Sequence, residues 1–144
     1  MPSLSTADSA GQALLDLADG LSGAVLGLLF YGAWAVWANA EHGSALALRA
    51  GALQGSLSFA VTLGGTSLMK TLFRGSGAAA WRALRAMLGT LALIYGLIIA
   101  VHLWHGTPEI ALTLAPGLPI TIAFCASYCL GLARYRQPPA PQSA

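Results

Sequence analysis

Twelve charged residues punctuate this chain, and four of the intervals between them are long. Asp19 to Glu41 leaves 21 uncharged residues, Arg49 to Lys70 leaves 20, Arg85 to Glu109 leaves 23 and Glu109 to Arg134 leaves 24. A helix rising 1.5 Å per residue needs about 20 residues to cross a hydrocarbon layer of roughly 30 Å. Every one of the four intervals is long enough. In lipid the backbone must pair within its own segment or within a closed barrel, and none of the intervals shows the alternation of a barrel strand. The sequence therefore predicts an all-α, polytopic membrane protein with transmembrane helices at 20–40, 47–69, 86–106 and 110–133.

Composition excludes the main alternatives. Charged residues make up 8% of the chain and the AVILMFWYC set 56%, with a mean hydropathy of +0.68. An average soluble domain is about 25% charged. So few charges cannot cover a folded soluble surface. A soluble four-helix bundle would need a polar stripe on each helix, and residues 21–38 and 86–101 have none. The net charge of +2 is too small for a phosphate-binding field, so no nucleic-acid partner is expected. The expected partners are the lipid bilayer and either a second copy or another membrane protein.

Lys and Arg set the expected orientation. Lys70, Arg74, Arg82 and Arg85 flank the second connection, Arg134 and Arg136 follow the fourth segment, and Arg49 alone lies on the opposite side. The basic side of a bacterial-type membrane protein is cytoplasmic. Both termini are thus predicted inside the cytoplasmic (inner) membrane. The first twenty residues hold no Lys or Arg, so no cleavable signal is expected. Residues 1–19 read as a tail with a short interfacial helix, on which Leu14, Leu17, Ala18 and Leu21 share a face. Residues 134–144 read as a Pro-rich, disordered tail.

The two halves of the transmembrane domain, about 20–70 and 86–135, share a pattern. Tyr31-Gly32 and His42-Gly43-Ser44 correspond to Tyr95-Gly96 and His105-Gly106-Thr107 at offsets of 64 and 63. Ala50, Leu53, Ser56, Leu57 and Phe59 correspond to Ala115, Leu118, Thr121, Ile122 and Phe124 at an offset of 65. Two helices per unit imply parallel repeats, related by an axis along the membrane normal. Opposite charges at matching places, Asp16 and Asp19 against Arg82 and Arg85, could then pair at the cytoplasmic surface.

Small residues mark the expected helix contacts, because lipid tails are as apolar as Leu and close packing drives association. Gly20, Gly23 and Gly27 lie in the first segment, and Ala47, Gly51, Gly55, Ser58 and Thr62 form a stripe on the second. The stripe alone does not say whether its partner lies in the same chain or in another copy. Pro116 and Pro119 are expected to bend the fourth segment. Cys125 and Cys129 read as reduced apolar residues.

The one constellation with chemical potential is Glu41, His42, His102, His105 and Glu109, all near the outer interface. Imidazole and carboxylate bind divalent ions and carry protons. His102, His105 and Glu109 would share a face if the helix reached residue 109, which Pro108 opposes. His42 and His105, at equivalent places in the two halves, are the leading pair for a ligand or proton site. The alternative is that these groups are simply solvated at helix ends. Intramembrane polar candidates are Gln54, Asn39 and Arg49, and the packing candidates are Gly23, Gly27, Gly51 and Gly55. No metalloprotease, nucleophile-elbow or P-loop motif is present, and no cofactor is assigned. The expectation is a non-enzymatic accessory subunit or small carrier acting as an oligomer or in a complex. The runner-up is an intramembrane enzyme or metal/redox protein that uses the outer His/Glu cluster.

Overall fold

A computed structural model describes residues 6–135, with side chains from 18 to 134. Helix α1 spans Thr6–Ala38, a 3-10 turn follows at Ala40–His42, and α2 spans Ser44–Phe73. Helix α3 spans Ala79–Trp104, α4 is the short Ile110–Leu114, and α5 spans Gly117–Tyr135. Four stretches are long and apolar enough to cross a membrane: Ala18–Ala38, Ser44–Phe73, Ala79–Trp104 and Gly117–Arg134. The protein is an all-helical, multi-pass membrane protein.

Two elements depart from the sequence expectation. The interfacial helix expected ahead of the first span is continuous with it. No proline interrupts residues 6–38, so nothing stops the helix from propagating outward. Its 33 residues run about 50 Å, well beyond a hydrocarbon layer of roughly 30 Å. The side chains of Leu14, Asp16 and Leu17 lie outside the described residues, as do residues 136–144 of the expected disordered tail. The second departure is in 110–133, which is broken into α4 and α5 at Ala115 and Pro116. Pro116 has no N–H to offer the carbonyl four residues back. The chain tightens instead, with Ala115 N bonding Leu112 O at 3.3 Å. Pro119 sits in the first turn of α5, where an N–H has no intrahelical acceptor and its loss costs little.

The chain forms two compact units, divided within α2 between Leu63 and Gly64. In the first, α1 and the leading part of α2 pack antiparallel through their small residues. A Cβ added to Gly55 would lie 2.7 Å from the Leu28 carbonyl oxygen and 3.5 Å from Gly32 Cα. One added to Gly51 would lie 2.8 Å from the Gly32 carbonyl oxygen and collide with Val36 Cγ2. Further along, a Cβ added to Gly27 would lie 3.5 Å from Thr62 Oγ1. The stripe on α2 thus finds its partner within the same chain. Gly32, which sequence reading placed only in the repeat, is a principal member of the contact.

In the second unit α3 packs against α5 around Met69, Phe73, Ala83, Ala86, Cys125 and Cys129. Helix α3 buries Ala83, Ala86, Thr90, Ile94, Ile98 and His102, one stripe at three- and four-residue spacing. Both cysteines are free and buried. The end of α2 is held by two arginines of α3. Arg82 Nε donates to Phe73 O at 3.0 Å, and its guanidinium carbon stands 4.3 Å from the centre of the Phe73 ring. Arg85 donates to Leu72 O through Nε at 3.2 Å and through Nη2 at 3.1 Å, and Nη2 also reaches Arg74 O at 2.5 Å. These are the carbonyls that a helix C-terminus leaves without partners, and a cation there also opposes the helix dipole. The two arginines therefore cap α2 as well as carrying the topological charge.

The close approach gives a paired prediction. Gly51→Ala places a methyl against a backbone oxygen that cannot move alone, so it should destabilise by about 1–3 kcal/mol, the usual cost of overpacking. A Cβ at Gly64 meets nothing within 4 Å. Gly64→Ala should be neutral or stabilising by about 0.5–1 kcal/mol. Thermal melting of both variants in one detergent checks the difference; equal melting temperatures would contradict the packing argument.

Candidate functional site

The sequence-predicted outer residues sit at helix ends, and each end is closed by a different local device. Helix α1 is followed directly by Asn39, which is fully buried. Its side-chain Nδ2 and its backbone N both donate to Ala35 O, at 2.9 and 3.2 Å. The Asn39 carbonyl in turn accepts from His42 N at 3.1 Å, which closes the 3-10 turn. Asn39 is thus bound into the helix terminus. Glu41 and His42 stand exposed on that turn, and Arg49 is exposed on the first turns of α2.

Helix α3 stops at Trp104 in a Schellman closure. Gly106 adopts φ 64°, its N–H bonds Leu103 O at 3.1 Å, and Thr107 N–H bonds His102 O at 3.0 Å. A left-handed residue is required here, and Gly adopts that conformation without a Cβ clash. A hydrophobic contact commonly joins the two residues that flank such a closure. Here a polar bridge takes its place: His102 Nδ1 and Thr107 Oγ1 lie 2.8 Å apart, both side chains buried. His102 is 0% exposed, whereas His105 beside it is exposed.

Because α3 ends at Trp104, His102, His105 and Glu109 do not share a helical face. Pro108 stands in the non-helical link. Glu109 opens α4 instead, and its carbonyl accepts from Thr113 N at 2.9 Å and Thr113 Oγ1 at 2.6 Å. Its residue is exposed, while Thr113 is fully buried. Among the described residues, no group of three or more His, Cys, Asp or Glu is placed to hold a metal ion. Of the intramembrane candidates, Gln54 is 3% exposed and adjoins Gly55 of the helix contact. Sequence reasoning missed the Thr107 and Thr113 hydroxyls. The signal for both was present: a Thr directly after a His-Gly turn, and a Thr four residues after the Glu that follows Pro108. Among the described residues the hydroxyl of Thr90, on the buried stripe of α3, is buried without a hydrogen-bond partner.

The His102–Thr107 bridge should be measurable as stability. Thr107→Val keeps the shape and removes the hydroxyl, which leaves a buried ring nitrogen without that partner. The expected loss is about 1–3 kcal/mol. Thr107→Ser should restore most of it, and His42→Ala, on an exposed turn, should stay within about 0.5 kcal/mol of the parent. If chemical or thermal unfolding in detergent gives Thr107→Val and Thr107→Ser the same stability, the bridge contributes nothing.

Compared with family models, with curated proteins and with solved structures, the chain matches none.

Proposed function

We propose that this chain is a non-enzymatic subunit of a membrane assembly, acting either as an oligomer or beside another membrane protein. One observation carries the reading: the spans bury little of themselves. Only 11% of the α1 span and 11% of the α5 span is buried inside the chain. Internal contacts are made by small residues on narrow stripes, while large apolar side chains such as Leu26, Leu29, Phe30, Leu93 and Leu97 are turned outward. In a bilayer those faces meet lipid or a neighbouring helix. The polar groups on the page support the same reading, since Asn39 and His102 are engaged in closing helix ends and the Thr113 hydroxyl bonds back to the Glu109 carbonyl. A second reading, a small carrier or permeation unit, is favoured by Gln54, a buried amide within a span. The internal two-helix repeat belongs to the proposal as well. Its support is the sequence correspondence, together with a His-Gly turn of positive φ after the first helix of each half, 96° at Gly43 and 64° at Gly106.

Native mass spectrometry from lipid nanodiscs tests the association. The expected result is a species heavier than one 14.7 kDa chain, either a multiple of that mass or a defined complex. A single chain at every protein-to-lipid ratio would refute the subunit reading.

The proposed location is the cytoplasmic membrane with both termini inside, from the six-to-one division of Lys and Arg. Reporter fusions after residues 44, 77 and 140 should report outside, inside and inside. An outside signal at residue 77 would overturn the orientation.

A further inference from the structure

At one end of the second unit α2 ends, the link at 74–78 turns and α3 begins. Helix α5 finishes at the same end, because Cys125 and Cys129, with Leu132 and Ala133 beside them, pack with Met69 and Phe73 of α2 and with Ala83 and Ala86 of α3. That rim carries Lys70, Arg74, Arg82, Arg85 and Arg134. Within residues 64–144 the one acidic residue is Glu109. It lies past the far end of α3, whose 26 residues span about 39 Å. At that distance, several Debye lengths at physiological salt, it does not neutralise the rim.

Within the second unit, the bonds of Arg82 and Arg85 satisfy geometry without neutralising charge, because their acceptors are backbone carbonyls. Lys70 is exposed in the last turn of α2, Arg74 is exposed just past its end, and Arg134 is exposed on α5. Trp81 sits among them, 60% exposed, and an indole at that position belongs at headgroup depth. Each cation near an anionic leaflet adds to the attraction. The capped turn fixes Arg82 and Arg85 at the end of α2, beside Lys70 and Arg74.

We propose that this rim is a seat for anionic phospholipid headgroups, with Lys70, Arg74 and Arg134 as adjustable contacts around the two fixed arginines. The inference rests on the charge and packing of the second unit. It does not depend on whether the chain has a protein partner.

The test uses the full chain in a neutral detergent, titrated with phosphatidylglycerol or with phosphatidylcholine of the same acyl chains, with retained lipid counted by native mass spectrometry. Phosphatidylglycerol should be retained over phosphatidylcholine by about tenfold or more. The triple variant Lys70→Gln, Arg74→Gln, Arg134→Gln should cut that ratio several-fold, to what Arg82 and Arg85 hold by themselves, without lowering the melting temperature. The charge-preserving triple Lys70→Arg, Arg74→Lys, Arg134→Lys should keep the preference. Equal retention of the two lipids by the parent chain, or an undiminished preference in the Gln variant, overturns the proposal. Should the Gln variant fail to fold, the parent chain decides alone. Its preference should weaken as salt rises from about 0.05 to 0.5 M, and a salt-independent preference refutes an electrostatic seat. If inorganic phosphate binds without lipid and displaces phosphatidylglycerol, the rim is a soluble-anion site and the lipid assignment fails.

Discussion

A helix leaves its last four carbonyls without intrahelical donors, and a chain that crosses lipid repeatedly must close each such end with little or no help from water. Much of the polar chemistry of this protein is spent on that requirement. At the end of α1 the donor is the Asn39 amide, which folds back onto Ala35 O. At the end of α2 it is a pair of guanidinium groups supplied by the next helix. At the end of α3 it is the backbone of Gly106 and Thr107, locked by a buried imidazole–hydroxyl pair. The three solutions differ in reach. The Asn and Schellman closures are local and define only where a helix stops. The arginine closure is long-range, since Arg85 bonds residues 11 and 13 positions away, and it ties the geometry of one helix to the next.

Between the ends, the organising force is proximity. Apolar side chains gain nothing by leaving lipid for another apolar surface, so helices adhere where backbones can come close. Gly51 and Gly55 against Gly32 and Leu28 meet that condition. The cost of such a narrow contact is that it covers little area. Among the described residues, most large side chains of α1 are exposed, which is why its packing and its proposed role in an assembly follow from the same stripe.

The four spans were legible because charge is costly in lipid and its absence over 20 or more residues has few other readings. The stripe Gly51-Gly55-Ser58-Thr62 was legible for a related reason, but its partner was not. Small residues state that something approaches closely and carry no information about what. Pro116 and Pro119 announced a disturbance, and the break at Ala115–Pro116 is the stronger of the forms it could take. The role of Arg82 and Arg85 was only half legible. Their sign placed them by topology, whereas their capping of Leu72, Phe73 and Arg74 depends on how the link at 74–78 turns back, which no local pattern specifies. The candidate site was the least legible part. Spacing put His102, His105 and Glu109 on one helical face only if the helix ran to residue 109, which Pro108 opposes. The termination at Trp104 instead buries the first with a threonine and leaves the other two exposed.

Under the proposed repeat, corresponding positions of the two halves carry similar sequence to different local ends. At an offset of 65, Gly51 corresponds to Pro116 and Gln54 to Pro119. Gly51 permits a neighbouring backbone to approach a continuous helix, whereas Pro116 removes a donor and divides one. At an offset of 63, Asn39 corresponds to His102, and both are 0% exposed at the end of a helix. Each is a buried polar residue placed three positions before a solvent-facing histidine, His42 or His105. The amide reaches backward to a carbonyl of its own helix, and the imidazole reaches forward to the hydroxyl beyond the turn. What the ends of α1 and α3 share is the placement of a buried polar group at a helix terminus, where an unsatisfied backbone makes one useful. What differs is the direction in which that group spends its hydrogen bond, and with it whether the following segment starts as a long helix or, after Pro108, as the single turn of α4.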